Sequence, residues 1–267
     1  MEKTQEAWNK VEIARNPKRP TSLDYIKYTF DNFMELHGDR ISSDDKAICC
    51  GLGNIGNQNF TIIAEQKGRT TKENIERNFG MPNPESYRKA IRFMKQAEKF
   101  GRPVITFIDT KGAYPGVEAE EKGQGEAIAE SMLTMASLKT PIISIVIGEG
   151  SSGGALAIGV GNKVYMLENA IYSILSPEGF ASILWKDSKK AKEAAEKMKL
   201  TSEDLLNFGV IDGIISEPKK QEYADEFIKK IADRIRKIIT NDIEEFKEMS
   251  ATEIVEQRYE KFRKMGC

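Results

Sequence analysis

PVITFIDTKGAYPG at 103–116 and PIISIVIGEGSSGG at 141–154 decide the fold. Each opens on proline, continues through β-branched apolar residues and ends among glycines. Continuous rather than alternating apolarity is what a strand covered on both faces requires, so both runs are expected to be buried parallel strands. A helix is expected over residues 118–138 between them. Strand, right-handed helical crossover and strand imply a covered parallel sheet whose binding crevice lies beyond the C-terminal ends of its strands. The glycine-rich segments 110–116 and 148–154 are expected as loops at that crevice, where chemistry would sit.

Working outward, KAICCGLGNIG and NFTIIAEQK, between Lys46 and Lys67, read as a hairpin turning at Gly56, Asn57 and Gln58. Residues 69–83 are charged and irregular. Asn83 then caps a helix with Pro84 at its first position, Gly101 past its end and a buried stripe of Tyr87, Ala90, Ile91, Met94 and Ala97. Residues 1–40 read as two short helices broken between Arg15 and Pro20. The second starts at Thr21, with Asp24 at capping-box spacing, and turns Tyr25, Ile26, Phe33 and Met34 inward. Downstream come a short helix at GALAIG, a strand pair near 163–174, helical stretches to about Phe208 and a strand VIDGII. Two amphipathic helices end the chain, one with Ile228, Ile231, Ile235 and Ile238 on a face, the other capped by Ser250 with Glu253. With no repeat or linker, an α/β chain with a single domain over 1–267 is expected: N-terminal helices to 40, a core over 41–218 and C-terminal helices over 219–267.

At 267 residues, 40% hydrophobic and 30% charged, the chain can bury one sizeable core. A formal net charge of -1 gives no overall field to recruit nucleic acid or an anionic membrane. No apolar run approaches the ~18 residues of a membrane span, and MEKTQEAWNK lacks the apolar centre of a signal peptide, so a cytoplasmic protein is expected. Cys49, Cys50, Cys267 and the single histidine, His37, are too few and too badly spaced for a zinc site. Free thiols in a reducing compartment are expected.

Two familiar patterns mislead. Gly51, Gly53 and Gly56 fit G-x-G-x-x-G, but a dinucleotide fingerprint must open a helix, and here another strand follows. Gly150 to Gly154 fit G-x-S-x-G with Ser152 as nucleophile. That chemistry needs a base, and His37 lies far upstream, expected in a surface helix, although a serine–lysine pairing stays open. Without any side chain, Gly153 and Gly154 could present N–H groups at a helix start to a developing oxyanion; the alternative reading is close helix packing. Lys67, Arg69, Lys72, Arg77 and Arg88 form either a solvated basic stretch or a site for a carboxylate or phosphates, to which Lys111 would add a cation.

Taken together, GDR, RNFGMPNPESYRKA, FIDTKGAYPG, GEGSSGGALAIGVGN and SPEGFASILWKD resemble the carboxyltransferase alpha subunit of bacterial acetyl-CoA carboxylase from about Ala7 to the end. The resemblance implies a crotonase-like α/β fold of repeated strand–strand–helix units and a beta subunit carrying a zinc ribbon and most of the acetyl-CoA site. It implies an alpha2beta2 heterotetramer that receives carboxybiotin from biotin carboxyl carrier protein, charged by biotin carboxylase, and makes malonyl-CoA for fatty acid synthesis. No metal or covalent cofactor is expected on this chain. Gly153 and Gly154 would stabilise the carboxybiotin ureido oxygen, and substrate contacts are expected at Lys111, Gly112, Gly116, Arg69, Arg77 and Ser152. Set against the pattern that the resemblance implies, most of an N-terminal helical extension is expected to be missing, with Ser151 in place of a common glycine and Lys111 in place of a proline. A hydrolase using Ser152 and a silent scaffold subunit are the other readings.

Overall fold

The structure is a computed structural model and describes residues 6–219 and 222–266. Its strands are β1 (Asp31–Leu36), β2 (Ile48–Ile55), β3 (Gln58–Glu65), β4 (Val104–Thr110), β5 (Ile142–Ser151), β6 (Lys163–Leu167), β7 (Ile171–Ser173) and β8 (Gly213–Ile215). The helices before β5 are α1 (Glu6–Ala14), α2 (Ser22–Thr29), α3 (Thr71–Glu76), α4 (Pro84–Lys99), α5 (Val117–Glu121) and α6 (Gln124–Ser137). Those after it are α7 (Ser152–Leu156), α8 (Pro177–Trp185), α9 (Ala191–Met198), α10 (Ser202–Asn207), α11 (Asp225–Lys247) and α12 (Ala251–Arg263).

Every residue of β4 and β5 is buried, as continuous apolar runs require, and the two pair in parallel with Val104 opposite Ile142 and Ile108 opposite Val146. The sheet runs β1-β2-β3-β4-β5-β6-β8, with β7 paired to the end of β5. The β1–β2 and β2–β3 pairs are antiparallel, the rest parallel. The expected hairpin turns at Gly56 and Asn57, since Ile55 already faces Gln58. The expected stripe of α4 is buried, with Phe93 added to it. Of the α11 face, Ile228, Ile231 and Ile235 are buried and Ile238 is partly buried against the same core.

Several expectations are corrected. Phe33 and Met34 belong to β1, not to a helix: α2 stops at Thr29, and Met34 is 54% exposed. The cause is non-local. Phe30 is buried edge-on against the rings of Phe60 and Phe107, and at Gly51 a side chain would strike the Phe33 ring and the Met34 carbonyl, so only glycine lets β1 lie against β2. His37 consequently follows a strand, in a loop, with Nδ1 3.1 Å from Asp44 Oδ2. The helix over 118–138 is two, α5 and α6, parted at Gly123 with φ 80°. Within 69–83, Thr70 and Glu73 make a capping box that starts α3. The strand pair near 163–174 does not pair with itself, because β6 and β7 each add to β5 in parallel.

Among the described residues, no helix is long and apolar enough to cross a membrane. Cys49 and Cys50 are buried, free thiols, pushed up to about 12 by burial. Cys267 lies outside the described residues.

The C-terminal helix docks through one buried cation. Arg258 is 1% exposed. It donates from Nη1 to the carbonyls of Met135 (2.6 Å) and Leu138 (2.8 Å), and from Nη2 to Thr140 O (3.0 Å) and Asn162 Oδ1 (2.6 Å). Burial pushes its guanidinium down to about 10. Arg258→Met leaves these buried acceptors unmet, and chemical denaturation should show a loss of roughly 3–5 kcal/mol; a loss under about 1 kcal/mol would mean that α12 is not held by this residue.

Candidate active site

The three parallel-running strands β3, β4 and β5 each carry a carboxylate near the C-terminal end, Glu65, Asp109 and Glu149, all buried. These carboxylates link the strands stepwise. Glu65 Oε2 accepts the Asp109 N–H at 2.9 Å, and Asp109 Oδ1 accepts the Glu149 N–H at 2.9 Å. Lys67 Nζ stands between the last two, 2.6 Å from Asp109 Oδ1 and 3.3 Å from Glu149 Oε1. On its other side Glu149 accepts from Arg15 Nε at 2.8 Å, and Arg15 Nη1 reaches Glu178 of α8 at 2.8 Å.

The environment divides these groups by charge. Burial pushes the Glu149 carboxyl up, but the charges and hydrogen bonds of Lys67 and Arg15 outweigh it and leave the group below the usual range. Burial pulls the Lys67 ammonium down, and Asp109 and Glu149 more than compensate, so it stays protonated. Glu65 goes the other way. Burial and the neighbouring Asp109 charge hold its carboxyl well above the usual range, despite the Asp109 N–H and Lys67. A cavity of about 190 Å3 opens beside this network, lined among others by Arg15, Arg19, Lys67, Asp109, Lys111 and Glu149.

Residues 148–151 are not a loop. They extend β5, paired to β7 through Glu149–Ile171, Gly150–Tyr172 and Ser151–Ser173, and the strand passes straight into α7 at Ser152, whose φ is 55°. The glycines spell a loop but serve close contacts instead. A side chain at Gly148 would lie 2.3 Å from Asp109 Oδ1, and one at Gly150 2.8 Å from the Tyr172 ring. The N–H groups in the first turn of α7 have no acceptor within the helix.

Gly153 and Gly154 differ. At Gly154 a side chain would meet the Gly112 and Ala113 backbone at 2.5–3.0 Å, whereas at Gly153 it would only touch Ile128 at 3.5 Å. Gly154 is thus the close-packing glycine that seats α7 on the 110–116 loop, and Gly153 lies at the edge of an open, mostly apolar cleft. That cleft, about 500 Å3, is lined by Ser152, Gly153, Leu156, Tyr172, Ser173, Ile174, Leu205 and Val210.

The structure gathers Gly112, Ser152, Gly153 and Gly154 around the start of α7 and puts Lys111 on the polar cavity. Gly116 caps α5 beside the Tyr114 ring. Arg69 and Arg77 are not brought to either cleft. Arg69 pairs with Asp24, and Arg77 donates to Lys46 O at 2.8 Å. Arg88 is held by Asp39 at 3.1 Å, so of the basic segment Lys67 alone reaches the network. Sequence reasoning missed Asp109, Glu149 and Arg15. The available signal was a carboxylate closing each apolar run, VITFID and IISIVIGE. His37, the histidine weighed as a base for Ser152, is held by Asp44, and the half-buried Lys67 is held between two carboxylates.

The chain matches the family described as "Acetyl co-enzyme A carboxylase carboxyltransferase-like" over residues 2–266. It is 56% identical over 268 residues to an acetyl-coenzyme A carboxylase carboxyl transferase subunit alpha of Clostridium acetobutylicum, covering 100% of this chain and 97% of that one. The like-named protein of Listeria monocytogenes is 56% identical over 260 residues, 97% of this chain and 81% of that one. A Clostridium tetani protein named for subunits beta/alpha is 58% identical over 261 residues; the chain spans 98% of itself and 45% of that relative. Among solved structures, transcarboxylase 12S aligns with TM-score 0.67 at 19% identity, over 89% of this chain and 45% of that one. A Pseudomonas malonate decarboxylase hetero-tetramer aligns at 0.66 and 13%, over 81% and 86%. At these identities the likeness is one of fold, and the fold is crotonase-like.

Two outcomes test the site's construction. Gly154→Ala should cost about 1–3 kcal/mol in chemical denaturation because backbone must move, and Gly153→Ala should stay within about 0.5 kcal/mol. For Glu65, the folded state holds its proton more tightly than the unfolded state does. Stability contributed at low pH is therefore lost at up to about 1.4 kcal/mol per pH unit once the ordinary carboxyl range, near about 4.3, is passed. Glu65→Gln removes that slope: its stability relative to the parent should rise from pH 5 to pH 8, and a constant difference would show that Glu65 ionises normally.

Proposed function

Since the chain belongs to the acetyl-CoA carboxylase carboxyltransferase-like family, we propose that it is the alpha subunit of a carboxyltransferase that moves the carboxyl group of carboxybiotin to acetyl-CoA, giving malonyl-CoA. The observation that carries the reading is the start of α7: Ser152 and Gly153, in the turn whose N–H groups a helix itself leaves without acceptors, line a cleft of about 500 Å3.

Carboxybiotin, delivered as a substrate on its carrier protein, supplies the carboxyl group: as its N–C bond breaks and carbon dioxide leaves, charge gathers on the ureido oxygen, the freed ring nitrogen takes the acetyl proton, and the acetyl carbon so deprotonated bonds the carbon dioxide to give malonyl-CoA. The chain's own part is electrostatic. The N–H groups near Gly153 and Gly154 face the growing negative charge, and each such donor contributes on the order of 3–4 kcal/mol to the transition state. Tyr172, Ile174 and Leu205 line the cleft as apolar walls, which limit the competition of water for those donors. Gly112 supports the arrangement by its backbone contact at Gly154. No side-chain base or nucleophile is needed for this chemistry, in keeping with the occupied partners of His37 and Lys67.

The acetyl-CoA side of the reaction belongs to a beta subunit with its own zinc site, in an alpha2beta2 complex that works with biotin carboxyl carrier protein and biotin carboxylase at the start of fatty acid synthesis. Support comes from the relatives' subunit names and from the apolar cleft, at which Ile174 is exposed. The cytoplasm is the proposed compartment, in line with two free thiols.

The test is malonyl-CoA-dependent carboxylation of free biotin, measured with this chain, with a cognate beta subunit, and with both. Carboxybiotin should form only in the mixture. Turnover by this chain alone would end the shared-site reading, and an inert but verified complex would end the acetyl-CoA assignment.

A further inference from the structure

The polar network at the strand ends does something that the reaction itself does not require of it. Between β4 and β5 the ladder pairs Ile108 with Val146 and next pairs Thr110 with Gly150, so β4 advances two residues while β5 advances four. The extra residues of β5 bulge out of the ladder, which bends its end toward β7 and α7. A bulge leaves backbone donors without their strand partner, and at Glu149 the missing acceptor is replaced by a side chain, Asp109 Oδ1 at 2.9 Å. Gly148 gives that carboxylate its space, since a side chain there would sit 2.3 Å from the same oxygen. Lys67 holds the oxygen from the other side at 2.6 Å and ties it to the Glu149 carboxylate at 3.3 Å.

We propose that Asp109 and Lys67 are positioning residues: clamped into the β5 bulge, they set the direction in which the first turn of α7 presents its N–H groups. The inference rests on the carboxyltransferase reading for its link to turnover, but not for the geometry. The lever is short, because Gly153 lies four residues beyond Glu149 on a strand that enters the helix without a loop. It is also stiff. Glu149 is gripped a second time by Arg15 at 2.8 Å, which reaches Glu178 on α8 beyond it. A misdirected donor loses most of its effect on a transition state while leaving the binding of a CoA ester, held elsewhere, unchanged.

The experiment uses the complex with the beta subunit and three variants, Asp109→Ala, Asp109→Asn and Asp109→Ala/Gly148→Ala, each read by steady-state kinetics, thermal midpoint and hydrogen exchange of the peptide 148–156. Asp109→Ala should lower kcat at least 100-fold with KM for malonyl-CoA within twofold, and speed exchange over 148–156 at least tenfold with α11 unchanged. Asp109→Asn keeps an acceptor oxygen and should recover kcat to within about tenfold of the parent. The double variant fills the vacated space, so its thermal midpoint should return toward the parent while kcat stays low. Parent-like kcat in Asp109→Ala, unchanged exchange over 148–156, or recovery of kcat together with stability in the double variant would each overturn the proposal. If the parent complex transfers no carboxyl group, the functional reading fails by itself, and the exchange data still decide whether Asp109 positions α7.

Discussion

Buried carboxylates at the ends of parallel strands must find donors, and the place where this chain supplies them fixes the rest of its architecture. Lys67 and Asp109, 2.6 Å apart, attract by about 6 kcal/mol gross at an effective dielectric near 20, but removing two ions from water costs several kcal/mol each. The pair is therefore weak as a source of stability and strong as a source of geometry. Its demands explain local sequence that otherwise looks arbitrary. Gly148 is empty where the Asp109 carboxylate lies, Glu65 is held well above the usual carboxyl range by burial and by the neighbouring Asp109 charge, and Arg15 comes from the N-terminal segment to complete the coordination of Glu149.

The same constraint marks the boundary of what the sequence discloses. Features set by neighbours in the chain were legible: the two proline-led strands, the hairpin, and α4 with Asn83, Pro84 and Gly101 at its ends all follow from spacing and punctuation. Features set across the chain were not. Asp31–Leu36 looks helical until Gly51 offers it a sheet edge, and GEGS looks like a loop until the Tyr172 ring and the Asp109 carboxylate occupy the space that its glycines leave.

For the site, residue type proved informative where a backbone was at stake and uninformative where a charge was. Gly153 and Gly154, read from the sequence as one pair, are told apart by their surroundings: close packing at Gly154, the edge of an open cleft at Gly153. Arg69 and Arg77 were drawn in by charge density alone, and Asp24 and the Lys46 carbonyl take them. A basic stretch does not say which of its members lacks a nearer partner, whereas a carboxylate that closes an apolar strand can only be buried with a donor beside it.

Electrostatic catalysis by backbone N–H groups works only where water is kept out, since the same donors in water are already satisfied. The α7 cleft meets half of that condition. Tyr172, Leu205 and Val210 line it, but Ile174, which lines it too, is 76% exposed. If Lys67, Asp109 and the β5 bulge fix the donors as proposed, while the cleft beside them stays open, two requirements are separated. Direction is set within the subunit, and dryness must come from whatever closes over the rim. On the proposed reading, a second subunit would be called for by the dielectric of the site, quite apart from where the second substrate would bind.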